Sequence, residues 1–177
     1  FNRKPKKLNG FQLDRGRLAL PHDQFFAEDP VRLIEVFQLA DLYGLEIHPL
    51  AMRAAQRDAR LVDRVVRKDA RANALFMDVL TSPRDPETVL RWMNESTVFG
   101  RFVPDFRRVV AQMQFDMYHH YTVDEHSIRA IGLLAEIERG DLKADHPLST
   151  AIMRQIVSRR VLFVATLVHD IAKGRGG

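Results

Sequence analysis

Apolar residues recur three and four positions apart along most of the chain, which is the spacing of one helix face. The first such face is formed by Leu33, Ile34, Phe37 and Ala40. The apolar face of the second predicted helix consists of Leu61, Val62, Val65 and Val66. The first three predicted helices cover 31–43, about 50–68 and 70–80. Four more are predicted to begin near Pro86, Pro104, Thr122 and Pro147, and the last covers about 159–173.

Local signals place the ends of several of these helices. Asp29 stands directly before a proline, which is typical of an N-cap residue followed by a first-turn proline. Thr122 and Glu125 have the spacing of a capping box. Gly44 and Gly140 follow the last periodic residues of their segments, so we expect them to end those helices.

Three segments depart from the amphipathic pattern. Residues 96–103 are mostly apolar without a clear period and are predicted to be a connector. The last helix is apolar all round, which predicts a position in the middle of a helix bundle. Residues 11–20 alternate around a turn-like Asp14–Gly16, so a short hairpin is allowed there. Because helical signals dominate elsewhere, the predicted fold class is all-α.

Composition excludes several classes of protein. The chain of 177 residues has no Cys, so disulfide scaffolds, Cys-ligated metals and cysteine nucleophiles are excluded. Hydrophobic residues make up 46% and charged residues 28%, as in an ordinary globular protein. The longest uncharged apolar run, Val161 to Val168, is far shorter than the ~20 residues of a membrane span. No secretory signal is recognisable, and the predicted location is cytoplasmic.

The net charge of +4 is concentrated near the start of the chain. Residues 1–20 carry six basic residues and one acidic residue, which leaves the rest of the chain at −1. A basic tail attracts phosphate, but a near-neutral globular part does not support nucleic-acid binding. We therefore interpret the basic segment as a linker.

One group of residues forms a candidate metal site. His169 and Asp170 are adjacent near the end of the apolar last helix, where an unpaired carboxylate would cost several kcal/mol. A metal ion removes that cost, and side chains ~100° apart on a helix can converge on one ion. A third ligand would come from a neighbouring helix, and His126 is placed to supply it. Imidazole and carboxylate ligands suit Mn²⁺, Fe²⁺, Zn²⁺ or Mg²⁺.

A competing interpretation needs no metal. Asp170 could instead form an ion pair with Arg160 or with Lys173, which follows three residues later. A second His-Asp pair, His22-Asp23, lies in a loop and is interpreted as solvated. The dipeptide alone is therefore a weak signal.

The residues from Val168 to Gly174, Val-His-Asp-Ile-Ala-Lys-Gly, resemble the signature of the HD superfamily of metal-dependent phosphohydrolases. Together with 118–127 and the closing Arg-Gly-Gly, the chain is similar to the family of bifunctional uridylyltransferase/uridylyl-removing enzymes. These enzymes modify the nitrogen-regulatory signal protein P-II. The resemblance is looser over 94–104 and over 25–50.

The resemblance implies roles for individual residues. His126, His169 and Asp170 match metal ligands, and the implied ion is Mg²⁺ or Mn²⁺. Lys173 matches a lysine that would contact a substrate phosphate or take part in catalysis. His119 falls where the family has a histidine, which implies a phosphate contact, although packing at a helix end is the alternative. His120, which follows it, departs from the apolar residue expected there and receives no role.

The resemblance also implies an organisation and a reaction. Residues 1–28 would be a linker or hairpin, 29–115 a helical linker bundle after a missing nucleotidyltransferase domain, and 116–177 the first half of an HD domain. The parent enzyme would attach UMP from UTP to a tyrosine of P-II and hydrolyse it off again, under the control of glutamine. We expect the chain to be a slice of that enzyme, inactive alone, and without a membrane partner.

Two alternatives remain open. The stretch 118–127 also resembles HD-bearing tRNA nucleotidyltransferases, and stringent-response nucleotide hydrolases share the His-Asp pair. The other alternative is a non-catalytic helical scaffold between domains.

Overall fold

A computed structural model describes residues 8–105 and 123–169 of the chain. The described residues are mostly helical with one small hairpin, which confirms the predicted all-α class. The elements are β1 (Gln12–Asp14), β2 (Arg17–Ala19), α1 (Phe25–Glu28), α2 (Arg32–Tyr43), α3 (Pro49–Asp58), a 3-10 turn (Ala59–Leu61), α4 (Arg64–Lys68), α5 (Ala70–Leu80), α6 (Pro86–Glu95), α7 (Val98–Phe102), α8 (Val123–Arg139), α9 (Pro147–Met153) and α10 (Arg159–Val168).

The chain divides into two compact units. The first consists of Phe1–Val79 and Trp92–Phe102, and the second of Leu80–Arg91 and Val103–Gly177. Among the described residues, no helix combines the length and the apolar character that crossing a bilayer requires.

The hairpin allowed by the sequence is confirmed. β1 and β2 pair antiparallel, with Asp14 opposite Arg17 at the closed end. The two loop residues, Arg15 and Gly16, both have positive φ, at 49° and 81°. Two positive φ angles in a two-residue loop are the mark of a type I′ turn, whose twist matches that of the strands.

The hairpin is attached to the segment that precedes α3. The backbone N–H of Leu18 donates to the carbonyl of Glu46, and the N–H of His48 donates back to the carbonyl of Leu18, both at 2.8 Å. The His48 ring continues the link, because its Nε2 lies 3.1 Å from Asp14 Oδ2. Its Nδ1 accepts from the N–H of Leu50 and so caps α3.

Buried aromatic and aliphatic side chains form the core of the first unit. α2 contributes more of them than any other element, and it ends at Gly44, whose φ of 61° lets its N–H reach the last carbonyls of the helix. The predicted end of this helix is therefore confirmed. The most deeply buried large side chains of the unit are Leu18, Phe26, Leu33, Ile34, Phe37, Met93 and Phe99.

The second predicted helix is wrong as a single element, because α3, the 3-10 turn and α4 replace it. The break is local: the Asp63 carboxylate accepts from the backbone N–H groups of Val65 at 2.9 Å and Val66 at 3.1 Å, which makes Asp63 the N-cap of a new helix. The rotation this introduces buries Val62 and Val66, leaves Leu61 half-buried and exposes Val65.

The connector predicted over 96–103 is also wrong, because α7 lies within it. Ser96 organises the turn between α6 and α7: its hydroxyl donates to the carbonyl of Met93 at 2.9 Å and accepts from the N–H of Val98 at 3.4 Å. Thr97 takes a positive φ of 67° to make that turn. The buried apolar residues of α7 are Val98, Phe99 and Phe102.

Four of the remaining predictions are confirmed within the described residues. α5 has the predicted bounds, and α6 and α9 begin at Pro86 and Pro147. α8 ends before Gly140, as predicted, and Gly140 has a positive φ. Residues 106–122 lie outside the described residues. They include most of the helix predicted from Pro104 and the capping residue Thr122.

The last helix does not lie in the middle of a bundle, so that prediction is wrong. Phe163 and Leu167 of α10 are buried, and α10 packs along α8. A neighbouring side of α10 carries Val161, Val164 and Val168, which are 66%, 37% and 44% exposed. These three residues, the valine row, share one side of α10. Uniform apolarity therefore does not indicate burial here.

Candidate functional site

Two helices of the second unit bring the predicted histidines together. His126 lies in the first turn of α8, and His169 directly follows α10. The centroids of the two imidazole rings are 5.8 Å apart, with the ring planes at 54°. The pair joins residues 43 positions apart because the start of α8 lies beside the end of α10.

The ring separation is compatible with a shared ion. A metal–nitrogen bond of ~2.1 Å puts two ligating rings with centroids at most about 6.5 Å apart. The observed separation falls within that limit. Both histidines are exposed, so an ion can reach them from solvent.

The backbone selects one nitrogen of His169. Its Nδ1 lies 2.5 Å from the carbonyl oxygen of Thr166. A carbonyl only accepts hydrogen bonds, so Nδ1 carries the proton, and in the neutral ring Nε2 bears the lone pair that a metal requires. A carbonyl holding the other ring nitrogen is the usual arrangement around a metal-ligating histidine.

Three further predicted site residues, Asp170, Lys173 and His119, lie outside the described residues, as does His120, to which no role is assigned. Within residues 8–105 and 123–169, no group of three His, Cys, Asp or Glu side chains is close enough to hold an ion. The structure therefore joins two of the three predicted ligands and does not test the third.

The second His-Asp pair is exposed, as predicted. The His22 ring packs edge-on against Phe25 and lies 3.5 Å from Glu28. Asp23 is 86% exposed at its side chain, with Arg57 3.7 Å away. His22 therefore serves as an internal control for tests of the other pair.

The buried face of α8 begins at Ser127, directly after the exposed His126. Ser127 is fully buried, and its hydroxyl has no hydrogen-bond partner among the described residues. Ile128 and Ile131 are buried with it. Because the next residues point inward, the His126 side chain is held at the surface.

Sequence reasoning missed the charged cluster that links α6 to α8. The Glu87 carboxylate of α6 accepts hydrogen bonds from Arg91 at 2.9 Å and from Arg129 of α8 at 2.8 Å. These hydrogen bonds are the main cause that raises the pKa of each arginine above its ordinary value. The Glu87–Arg91 spacing of four residues is visible in the sequence, but the contact with Arg129 across 42 residues is not.

The fold and the paired imidazoles define a mostly helical segment whose second unit carries a candidate metal site. The family model described as "Uridylyltransferase GlnD third domain" matches residues 11–102, more than half of the chain, and the chain belongs to this family. The matched range covers the hairpin and α1 to α7, so His126 and His169 lie beyond it.

Curated relatives extend the likeness to the remaining residues. The chain is 67% identical over 172 residues, 97% of its length, to a protein of Novosphingobium aromaticivorans named bifunctional uridylyltransferase/uridylyl-removing enzyme. It is 61% identical over all 177 residues to a protein of the same name from Erythrobacter litoralis. The chain spans 19% of each relative's length. No solved structure matches it.

Proposed function

We propose that this chain is part of a bifunctional enzyme that attaches uridylyl groups to a protein and removes them by hydrolysis. We further propose that His126, His169 and Asp170 bind a divalent ion, Mg²⁺ or Mn²⁺, for the removal reaction. The observation that carries the proposal is the meeting of His126 and His169 from separate helices, with the His169 ring oriented by a carbonyl. The names of the two relatives support the coarser statement.

The reaction proposed is hydrolysis of a phosphodiester between UMP and a tyrosine of the P-II signal protein. Water forms a bond to phosphorus, the bond to the tyrosyl oxygen breaks, and the tyrosyl oxygen takes up a proton. A bound divalent ion would polarise the phosphoryl oxygen and lower the pKa of a coordinated water. His126 and His169 would hold it through ring nitrogens and Asp170 through oxygen. Lys173 would neutralise charge on the phosphate, and His119 is proposed to contact the phosphate.

The choice of P-II as substrate rests on the family resemblance of 118–127 and 168–177. UTP and glutamine are proposed to act on the longer enzyme, outside these residues. For the chain by itself we expect no removal of UMP, and measurable turnover with uridylylated P-II would contradict that expectation.

Paramagnetic broadening tests the metal site and remains sensitive to weak binding. Substoichiometric Mn²⁺ is titrated into the labelled chain while the imidazole resonances are followed by NMR. We expect the signals of His126 and His169 to broaden first and those of His22 to persist. His169→Ala should weaken the broadening at His126, whereas His22→Ala should leave it unchanged. Equal broadening in both variants would refute the assignment.

A further inference from the structure

The contact between α6 and α8 is unusually close at one glycine. A Cβ atom built on Gly132 of α8 would overlap Oε2 of Glu87 and lie 2.9 Å from its Cβ. Real Cβ atoms essentially never come that close to another heavy atom. The Glu87 side chain therefore occupies the space that any other residue at 132 would need.

The Glu87 carboxylate also forms ion pairs with two arginines. Arg91 and Arg129 each donate to it, and its side chain is only 18% exposed. Arg129 also donates to Glu136 at 3.2 Å, seven residues further along α8. Arg91 lies 3.7 Å from Glu125, which stands immediately before His126. The ionic contacts of this cluster, centred on Glu87, thus run along α8 from its first turn to its last.

This cluster fixes both the rotation and the axial position of α8. A shift of one residue along a helix moves a side chain by 1.5 Å and rotates it by 100°. Gly132 lies six residues after His126 and Arg129 three, on the same rigid helix. Any slip that separated Gly132 from Glu87 would therefore carry the His126 ring away from His169.

We propose that Glu87 is a positioning residue for the candidate site: by filling the gap at Gly132 and binding Arg129, it holds the His126 ring against that of His169. The inference rests on the proposed metal site for its functional meaning. Its geometric content, the closeness of the two rings, can be measured without a metal.

The test uses NMR on the 20.4 kDa chain. In the metal-free wild type we expect a nuclear Overhauser effect between the imidazole protons of His126 and His169. Glu87→Ala removes the carboxylate and should abolish this signal, whereas Glu87→Gln keeps the size and an acceptor oxygen and should retain it. Glu95→Gln, at an exposed position on the same helix, is the matched control and should change nothing.

Metal affinity gives the second readout. We expect Glu87→Ala to raise the Kd for Mn²⁺ by about tenfold or more, as loss of a supporting contact commonly does, and Glu87→Gln to stay close to the wild type. Gly132→Ala should mimic Glu87→Ala, because its added methyl group displaces the glutamate. Circular dichroism checks folding, and if Gly132→Ala does not fold, the two Glu87 variants decide.

The outcomes separate the two proposals. Persistence of the ring–ring signal in folded Glu87→Ala overturns the positioning role. Loss of that signal together with weaker Mn²⁺ binding supports it. If Glu87→Ala loses the signal that the wild type shows, but the wild type binds no Mn²⁺ at these rings, the metal site is overturned and the positioning of His126 by Glu87 is still supported.

Discussion

Replacing Asp63 by Ala tests whether one carboxylate divides the helix that the sequence pattern would otherwise continue. The Asp63 side chain accepts from the N–H groups of Val65 and Val66, and its own backbone, at φ −101° and ψ −168°, is extended, as at an N-cap. Alanine keeps the chain length but removes both acceptor bonds. The first turn of α4 would then lose the side-chain cap that Asp63 provides.

The expected loss follows from the exposure of the two donors. N-cap replacements by Ala cost about 0.5–2 kcal/mol. The N–H of Val65 lies at an exposed position and can turn to water, while that of Val66 is partly buried. The cost should therefore lie near the middle of the range, about 1 kcal/mol, or about 2–4 °C in Tm for a chain of this size.

Two measurements check this prediction. Chemical denaturation gives the free energy of unfolding, and hydrogen exchange gives the protection of the Val65 and Val66 amides, which should fall. Asp63→Asn retains an acceptor oxygen and should lose only a small part of the stability. An unchanged free energy, or increased stability and helicity because α3 and α4 merge, would refute the reasoning.

Three further substitutions probe the core, the turn and the surface. Phe37→Ala, at a fully buried position, should cost about 3–5 kcal/mol in the free energy of unfolding, measured by denaturation. Gly16→Val forces a β-branched residue to a φ of +81° and should cost at least about 1 kcal/mol, with loss of the hairpin cross-peaks in NMR spectra. Arg159→Met breaks a bidentate contact with Glu138 at 2.7 and 2.8 Å, but the pair is partly exposed, so the loss should stay below about 1 kcal/mol and shrink in high salt. A loss above 2 kcal/mol for Arg159→Met would contradict the surface assignment.

The parts of the fold that could be predicted are those that depend on neighbouring residues. Gly44 ends α2 and Pro86 begins α6 because capping and proline geometry act within one turn. The break at Asp63 was missed because the apolar period continues across it. α7 was missed because five residues are too short to show a period.

Burial and contacts between side chains depend on residues that are far apart in the sequence, so both were harder to predict. The composition of α10 did not show which of its sides packs against another helix, and Val161 is exposed. The closeness of His126 and His169 was predicted from the chemistry of the His-Asp pair and from resemblance. The role proposed for Glu87 could not be predicted, since its partner Arg129 lies on another helix, 42 residues away.

The valine row of α10 also determines how the chain should behave in solution. The exposed valine side chains are apolar, so salt does not screen the attraction between them as it screens charges. Sulfate or phosphate strengthens the tendency of these side chains to associate. Self-association of the chain should accordingly rise in sulfate at an ionic strength where its ion pairs weaken. A polar replacement such as Val161→Thr, at a position 66% exposed, should reduce that association without changing the fold.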